Sequence, residues 1–218
     1  MKTIAIVSGG MDSVTLAYLL HSEGRELHLL SFDYGQRHVK ELASATACAK
    51  ALNCRHDVID LRSIGAMLGG SSLTDNIPVP DGRYDEQSMR ITVVPNRNAI
   101  MLAIAYGVAV AERADSVAIG VHAGDHFIYP DCRPDFILAF DSMQKWAIDG
   151  FGEVALYAPF LSRTKSDIVK IGHALGVPYG ETWSCYKGGD VHCGTCGTCT
   201  ERIEAFELAG VVDQTMYL

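Results

Sequence analysis

Lys2-Thr3-Ile4-Ala5-Ile6-Val7-Ser8-Gly9-Gly10-Met11-Asp12-Ser13-Val14 sets an apolar, β-branched run directly before a Ser-Gly-Gly turn. Beyond the turn, Asp12 to Ser22 carries apolar residues at Val14, Leu16, Ala17, Leu19 and Leu20, a helical spacing. The order is strand, glycine loop, helix. Such a loop lies outside the carboxyl end of a parallel strand, where open α/β sheets bind ligands. Glycines let backbone N–H groups converge on an anion, and the helix N-terminus adds partial positive charge. Ser8 and Ser13 add hydroxyl donors. Asp12 is an odd neighbour for phosphate unless it faces a metal ion or a bound nucleophile. The plainer reading is a tight turn with Asp12 or Ser13 as helix N-cap. Two other phosphate loops are excluded, because neither G-x-x-x-x-G-K-[ST] nor G-x-G-x-x-G occurs here. The apolar stretch before Ser8 is too short for a signal peptide and reads as a first strand.

The same alternation continues. Leu27 to Phe32 reads as a second strand and His38 to Leu52 as a helix, with Val39, Leu42, Ala43, Ala49 and Leu52 on one side. His56 to Leu61 reads as a third strand. This βαβαβ order predicts a parallel sheet with helices on both faces. Gly65 to Arg90 has no clear period and is rich in Gly, Ser, Pro and Asp, the mark of a functional loop inside a compact domain. A helix is expected over Asn96 to Arg113, a fourth strand over Ser116 to Val121 and a helix over Pro134 to Ile148. A fifth strand is expected over Val154 to Ala158, a helix over Thr164 to Leu175 ended by Gly176, and a last helix from about Thr200 to Leu208. The expected fold class is α/β: a Rossmann-like, five-stranded parallel sheet over residues 1–178, with a small C-terminal zinc-binding element over residues 179–218.

The chain's 218 residues suffice for one full core and not for two large domains. With 48% hydrophobic and 20% charged residues, disorder is not expected. No apolar run approaches membrane-span length, so no membrane partner and a cytoplasmic location are expected. The net charge of −8 and the lack of any Lys/Arg cluster argue against nucleic acid and favour a small-molecule substrate.

Seven cysteines are present, and four fall at Cys185-x7-Cys193-x2-Cys196-x2-Cys199. An odd number crowded at one end is not a secreted disulfide framework. Gly194 and Gly197 suit a tight knuckle around a metal, and four thiolates can close a tetrahedral Zn²⁺ site. The rival is an iron–sulfur cluster. Zinc is preferred because the knuckle glycines and the distant fourth cysteine suit a closed structural site. Cys48 and Cys54 read as buried or incidental, whereas Cys132 lies in a suspected substrate loop.

Ser8-Gly9-Gly10-Met11-Asp12-Ser13 after a first strand resembles the PP-loop signature of ATP pyrophosphatases, a superfamily with a Rossmann-like fold of the adenine nucleotide alpha hydrolase type. Four further segments narrow the likeness: Phe32 to His38 after the second strand, Val94 to Asn98 at a helix start, Gly120 to Asp125 with Tyr129 to Pro134 after the fourth strand, and Thr182 to Tyr186 before the cysteines. Taken in order and across essentially the whole chain, they resemble the 7-cyano-7-deazaguanine synthases, which make the nitrile precursor of queuosine.

That resemblance implies ATP, ammonia and 7-carboxy-7-deazaguanine as substrates, with Mg²⁺ on the polyphosphate and Zn²⁺ on Cys185, Cys193, Cys196 and Cys199. It implies a ligase forming carbon–nitrogen bonds by two adenylations, and a homodimer. Nucleotide binding falls to Ser8, Gly9, Gly10, Met11, Asp12, Ser13, Val14, Tyr34, Arg97 and Lys165, and catalysis to Asp12, Ser13 and Lys165, with Arg163 in reserve. His122, Asp125, Asp131 and Arg133 are candidates to read the deazapurine, Asp being apt because a carboxylate accepts from a guanine-like N–H edge. Each has a plainer reading: Tyr34 as a rim residue, Asn96 as a mere cap beside Arg97, Lys165 as a surface lysine, the His122–Arg133 segment as a solvated loop. With no glutaminase domain and no N-terminal cysteine nucleophile, free ammonia is the expected nitrogen source. The alternatives are a PP-loop tRNA-modifying enzyme with an iron–sulfur cluster, and a relative that adenylates another acceptor.

Overall fold

The structure is a computed structural model describing residues 1–218, the side chain of Glu86 excepted. Five strands form it: β1 (Lys2–Ile6), β2 (Glu26–Asp33), β3 (Arg55–Asp60), β4 (Ser116–Ala118) and β5 (Ala155–Tyr157). Their order is β3-β2-β1-β4-β5, and every pairing is parallel. Strand β1 is buried on both faces, which explains its unbroken apolar run. Ile4 and Ile6 enter one core layer, and Ala5 and Val7 the other. The sheet reverses direction between β1 and β4, so the carboxyl ends of these strands splay around a crevice.

The helices are α1 (Met11–Ser22), α2 (Glu41–Ala51), α3 (Arg62–Gly65), α4 (Glu86–Met89), α5 (Arg97–Ala111), α6 (Pro134–Ala147), α7 (Lys165–Ala174) and α8 (Gly197–Ala209). Helices α1, α2, α7 and α8 cover one face of the sheet, and α5 and α6 the other. In α5, Met101, Leu102, Ala105, Tyr106 and Ala109 repeat at helical spacing and are buried against β1 and β4. No helix is long and apolar enough to cross a membrane.

Several boundaries differ from the sequence reading. Helix α2 begins at Glu41, not His38, because the backbone of residues 38–40 forms a tighter turn, in which Glu41 N and Leu42 N donate to the carbonyls of His38 and Val39 three residues back. Its buried face is Glu41, Ala45, Cys48 and Ala49, while Val39 is exposed. Strand β4 stops at Ala118 where the crevice opens. Helix α8 starts at Gly197, so Cys199 stands in its first turn.

The aperiodic segment after α3 lies across the C-terminal cysteines. Gly82 N donates to Thr195 O at 2.8 Å, and Thr200 Oγ1 to Gly82 O at 2.9 Å. Asp81 bridges the backbone of Cys196, and its carboxylate pairs with Lys187. Arg37 Nη2 holds the carbonyls of Asp75 and Ile77 at 2.9 and 3.1 Å.

Candidate active site

The turn between β1 and α1 holds its own amides in a converging array. Ser13 Oγ accepts from the N–H of Ser8 at 3.2 Å and of Gly9 at 3.3 Å, and donates to Gly10 O at 3.1 Å. Ser8 Oγ accepts from Gly10 N at 3.2 Å. Gly9 sits at φ +100°, and a Cβ there would stand 1.9 Å from Glu41 O, so only glycine fits. Three backbone N–H groups and two hydroxyls thus converge at the head of α1, where they satisfy one another.

Over this turn stands a cluster of part-buried charges. Lys165 opens α7, whose N-terminus is closed by a capping box between Thr164 and Asp167. Its Nζ lies 2.5 Å from Glu201 Oε2 on α8 and 3.4 Å from Asp12 Oδ2. Burial disfavours its charge, but Asp12, Glu201 and Asp125 outweigh that and hold the pKa above the ordinary lysine value. Burial pushes the Glu201 carboxyl up against the opposing pull of Lys165 and His122. Asp125 is part-buried, which would raise its carboxyl, yet His122 and Lys165 keep its pKa below the usual value, helped by Tyr84, whose OH donates to Asp125 Oδ1 at 2.6 Å. The Gly124 N–H points at His122 Nδ1, 3.1 Å away, and turns Nε2 toward the carboxylates. That Nε2 faces Asp125 Oδ2 at 3.5 Å and Asp12 Oδ2 at 3.8 Å. Asp12 Oδ1 and His122 Nε2 are buried without a hydrogen-bond partner.

The crevice continues away from the turn between the ends of β2 and α5. Tyr34, His38, Glu41, Arg97 and Tyr186 line it. Arg97 Nη1 donates to Tyr34 OH at 3.2 Å, and its guanidinium lies 5.9 Å from the Tyr34 ring centroid. Burial pushes the Glu41 carboxyl up to about 7, opposed by Gln36 and Arg97, and lowers His38 to about 3.

The four cysteines Cys185, Cys193, Cys196 and Cys199 meet with all sulfurs within 4.8 Å of one another. Around one Zn²⁺ with Zn–S near 2.3 Å, tetrahedral sulfurs stand about 3.8 Å apart. Cys193 Sγ and Cys199 Sγ are 3.9 Å apart. The N–H groups of Thr195 and Cys196 point at Cys193 Sγ at 3.4 and 3.2 Å, donors suited to a thiolate. The set could hold one metal ion.

The structure thus brings Ser8 through Ser13, Asp12, His122, Asp125 and Lys165 together, and places Tyr34 and Arg97 on the same crevice. It does not bring in Asp131 or Arg133. Asp131 Oδ2 accepts from Asn98 N at 2.9 Å and serves the start of α5, while Arg133 is exposed and its Nε donates to His126 O at 2.7 Å. Arg163 is likewise exposed. Val14 is buried in the core behind the turn. Sequence reasoning missed Glu201, Tyr84 and Glu41.

This fold with this turn defines the class: a PP-loop protein of the Rossmann-like, adenine nucleotide alpha hydrolase type. Solved structures share the fold. The NH3-dependent NAD synthetase of Campylobacter jejuni matches at TM-score 0.51 and 17% identity, covering 81% of this chain and 65% of that one. The NMN synthetase of Francisella tularensis matches at TM-score 0.51 and 16% identity, covering 96% and 77%. Within the class, the chain belongs to the family described as queuosine biosynthesis protein QueC, whose model matches residues 2–210. A 7-cyano-7-deazaguanine synthase of Brucella anthropi is 61% identical over 217 residues, covering 100% of this chain and 94% of that protein.

Proposed function

We propose that this enzyme converts 7-carboxy-7-deazaguanine and ammonia to 7-cyano-7-deazaguanine at the expense of ATP, for queuosine biosynthesis. The observation that carries the reading is the meeting of Asp12, Lys165 and Glu201 over an anion-binding turn, in a chain matched by this family from end to end.

A carboxylate cannot take ammonia directly, because hydroxide is too poor a leaving group. The carboxylate oxygen attacks the α-phosphorus of ATP and pyrophosphate departs. Ammonia then displaces AMP and loses a proton, giving the amide. The amide oxygen attacks a second ATP in the same way, and loss of AMP and of both N–H protons leaves the nitrile. The amides of Ser8, Gly9 and Gly10 with the hydroxyls of Ser8 and Ser13 cradle the departing pyrophosphate, and Lys165 offsets its charge. Met11 and Val14 hold the turn on the core. Asp125 and His122 face the reacting carbon's side of the cluster and orient the acceptor.

Mg²⁺ accompanies the polyphosphate, and the unpartnered Asp12 Oδ1 fits it; the ion supplies charge neutralisation there. The cysteines fit Zn²⁺, since sulfurs this close leave room for one ion and not for a cubane of four irons. Zinc in this position is structural, fastening residues 179–218 to the nucleotide-binding body of residues 1–178. We place the enzyme in the cytoplasm, with small-molecule partners and no nucleic acid, in keeping with its net charge of −8. Leu138, Met143 and Trp146 on α6, with Phe151 in the turn beyond it, leave exposed apolar side chains that support a homodimer.

The test is to incubate the purified enzyme with ATP, ammonium and 7-carboxy-7-deazaguanine and to quantify nucleotides and base. AMP, pyrophosphate and the nitrile are expected, with two AMP per nitrile. ADP as the main nucleotide product overturns the adenylation mechanism.

A further inference from the structure

The crevice contains two opposite charges that do not pair. Arg97 makes one side-chain hydrogen bond, to Tyr34, and no carboxylate lies within 4.0 Å of its guanidinium among the described residues. Four of its five N–H donors are left without a protein acceptor. Glu41 opens α2 and is buried. Its Oε1 accepts from Gln36 Nε2 at 3.1 Å and faces His38 Nε2 at 3.4 Å. Nothing among the described residues donates to Oε2. Gln36 is itself fixed, accepting from Tyr34 N at 2.9 Å and donating to Phe32 O at 3.0 Å. The carboxylate is thus aimed, not adaptable. Arg97 is near enough to pull the Glu41 pKa down, yet the two stay apart. Buried charges are normally paired, so a ligand with one acceptor-rich edge and one donor edge fits between them.

We propose that Glu41 and Arg97 are the specificity-determining pair for the base: Glu41 accepts from the ring N–H and the 2-amino group of the deazaguanine, and Arg97 donates to its exocyclic oxygen and 7-carboxylate. This rests on the functional reading above. The donor edge of a guanine-like base spaces two N–H groups as a carboxylate spaces its oxygens, and Oε1 keeps lone-pair capacity beyond Gln36. On the other edge, the exocyclic oxygen and the 7-carboxylate present adjacent acceptors to a planar fork. Tyr34, with the tilted pair of His38 and Tyr186 at 5.0 Å between ring centroids, supplies aromatic walls for the bicycle. The pairing explains how the site would refuse adenine-like bases, which carry no such donor pair. It also takes over the role the sequence suggested for Asp131 and Arg133, which lie off the crevice.

Titration adds an independent readout. Glu41 is faced by His38, Tyr34 and Arg97, of which none changes charge near neutrality on the shifts found here. Its own carboxyl, raised to about 7 by burial, is half protonated there in the free enzyme. Two N–H donors favour the ionised form, so base affinity falls as pH drops through about 7.

The experiment measures base binding and steady-state kinetics for wild type, Glu41→Gln and Arg97→Met, with 7-carboxy-7-deazaguanine and its analogue lacking the 2-amino group. For Glu41→Gln, KM for the base is expected to rise roughly 10- to 100-fold with KM for ATP little changed. Discrimination against the analogue and the pH dependence near 7 should both shrink. For Arg97→Met, use of the carboxylate should fall more than use of the neutral 7-amido compound. A Glu41→Gln enzyme that keeps wild-type base affinity, analogue discrimination and pH profile overturns this assignment while leaving the functional reading intact. A wild-type enzyme that neither binds nor converts the base overturns both.

Discussion

The ammonium group of Lys165, at the first position of α7, lies 2.5 Å from a carboxylate oxygen of Glu201, in the second turn of α8. The two elements are joined through this largely sheltered pair above the anion-binding turn. Removing one partner of such a pair leaves an uncompensated buried charge and costs about 3–5 kcal/mol, whereas replacing both with apolar groups is often neutral. Lys165→Met should therefore lower both melting temperature and kcat, the latter by more than roughly 100-fold, as for loss of an electrostatic donor. The double variant Lys165→Met/Glu201→Leu should recover the melting temperature without the activity. Recovery of activity as well would make the lysine a structural residue only.

In the turn, Ser13→Ala removes the acceptor shared by two backbone amides. It should cut turnover strongly while thermal unfolding shifts by no more than about 2 kcal/mol. Gly9→Ala is a different lesion, with a Cβ driven onto Glu41 O at a left-handed φ. It should destabilise the fold by several kcal/mol, about the cost of overpacking plus backbone strain, and displace the head of α2. A Gly9→Ala enzyme with wild-type stability would show that the turn is not packed against α2 as described.

Elemental analysis should find one zinc per chain in a colourless protein. Cys193→Ala should mainly reduce folded yield, since a structural zinc site contributes folding free energy directly. Brown protein with visible absorbance in anaerobic preparations would point to an iron–sulfur cluster instead.

Arg202 is fully buried, and its guanidinium is held by Asp213 at 2.9 and 3.0 Å, Thr182 Oγ1, Ser184 Oγ and Tyr179 O. Burial would raise the Asp213 carboxyl, but Arg202 and Tyr217 hold it down at about 2, below its ordinary 3.8. The folded value is depressed, so its stabilisation is complete above pH 4 and is lost as pH falls through about 2. The amount is about 2 kcal/mol. Urea denaturation from pH 5 to pH 2 should show this slope in wild type and a smaller one in Asp213→Asn. Equal slopes would mean that Asp213 contributes nothing specific to acid unfolding.

The 7-amido-7-deazaguanine should be a substrate in its own right, consuming one ATP and no ammonium. An inert amide would mean that the nitrile forms without a released amide stage.

What was legible in the sequence was local. The β1 run, the polar break at Ser8-Gly9-Gly10 and the period of α1 sit next to one another, and the turn followed from them. The knuckle cysteines were legible for the same reason, three of the four lying within seven residues. Lys165 could be picked out by its place at a helix start. Glu201 could not, because in Thr200-Glu201-Arg202-Ile203-Glu204 nothing local separates it from exposed Glu204. What makes it part of the site is a partner 36 residues away. The buried stripe Thr198, Arg202, Ala205 and Phe206 alongside it was the available hint. Helix α2 misled for a related reason: Val39, Leu42 and Ala43 suggested an apolar face, but Gln36, His38 and Glu41 turn inward to the crevice. Asp131 and Arg133 had suitable chemistry for a base edge, yet helix capping and a backbone carbonyl claim them.

The stitching of the segment around Gly82 to the cysteine knuckle has a temporal side. Ser8 to Ser13 lie far upstream of Cys199 and Glu201, so synthesis delivers the turn well before them. Tyr84, which donates to Asp125, is anchored through Gly82 to Thr195 and Thr200. A nascent chain can therefore fold its nucleotide turn long before it owns the residues that complete the charge cluster. The charge cluster closes only once α8 has been made and has docked on α7. Any failure to seat the cysteine knuckle that carries α8 therefore leaves an inert chain, not a slow one.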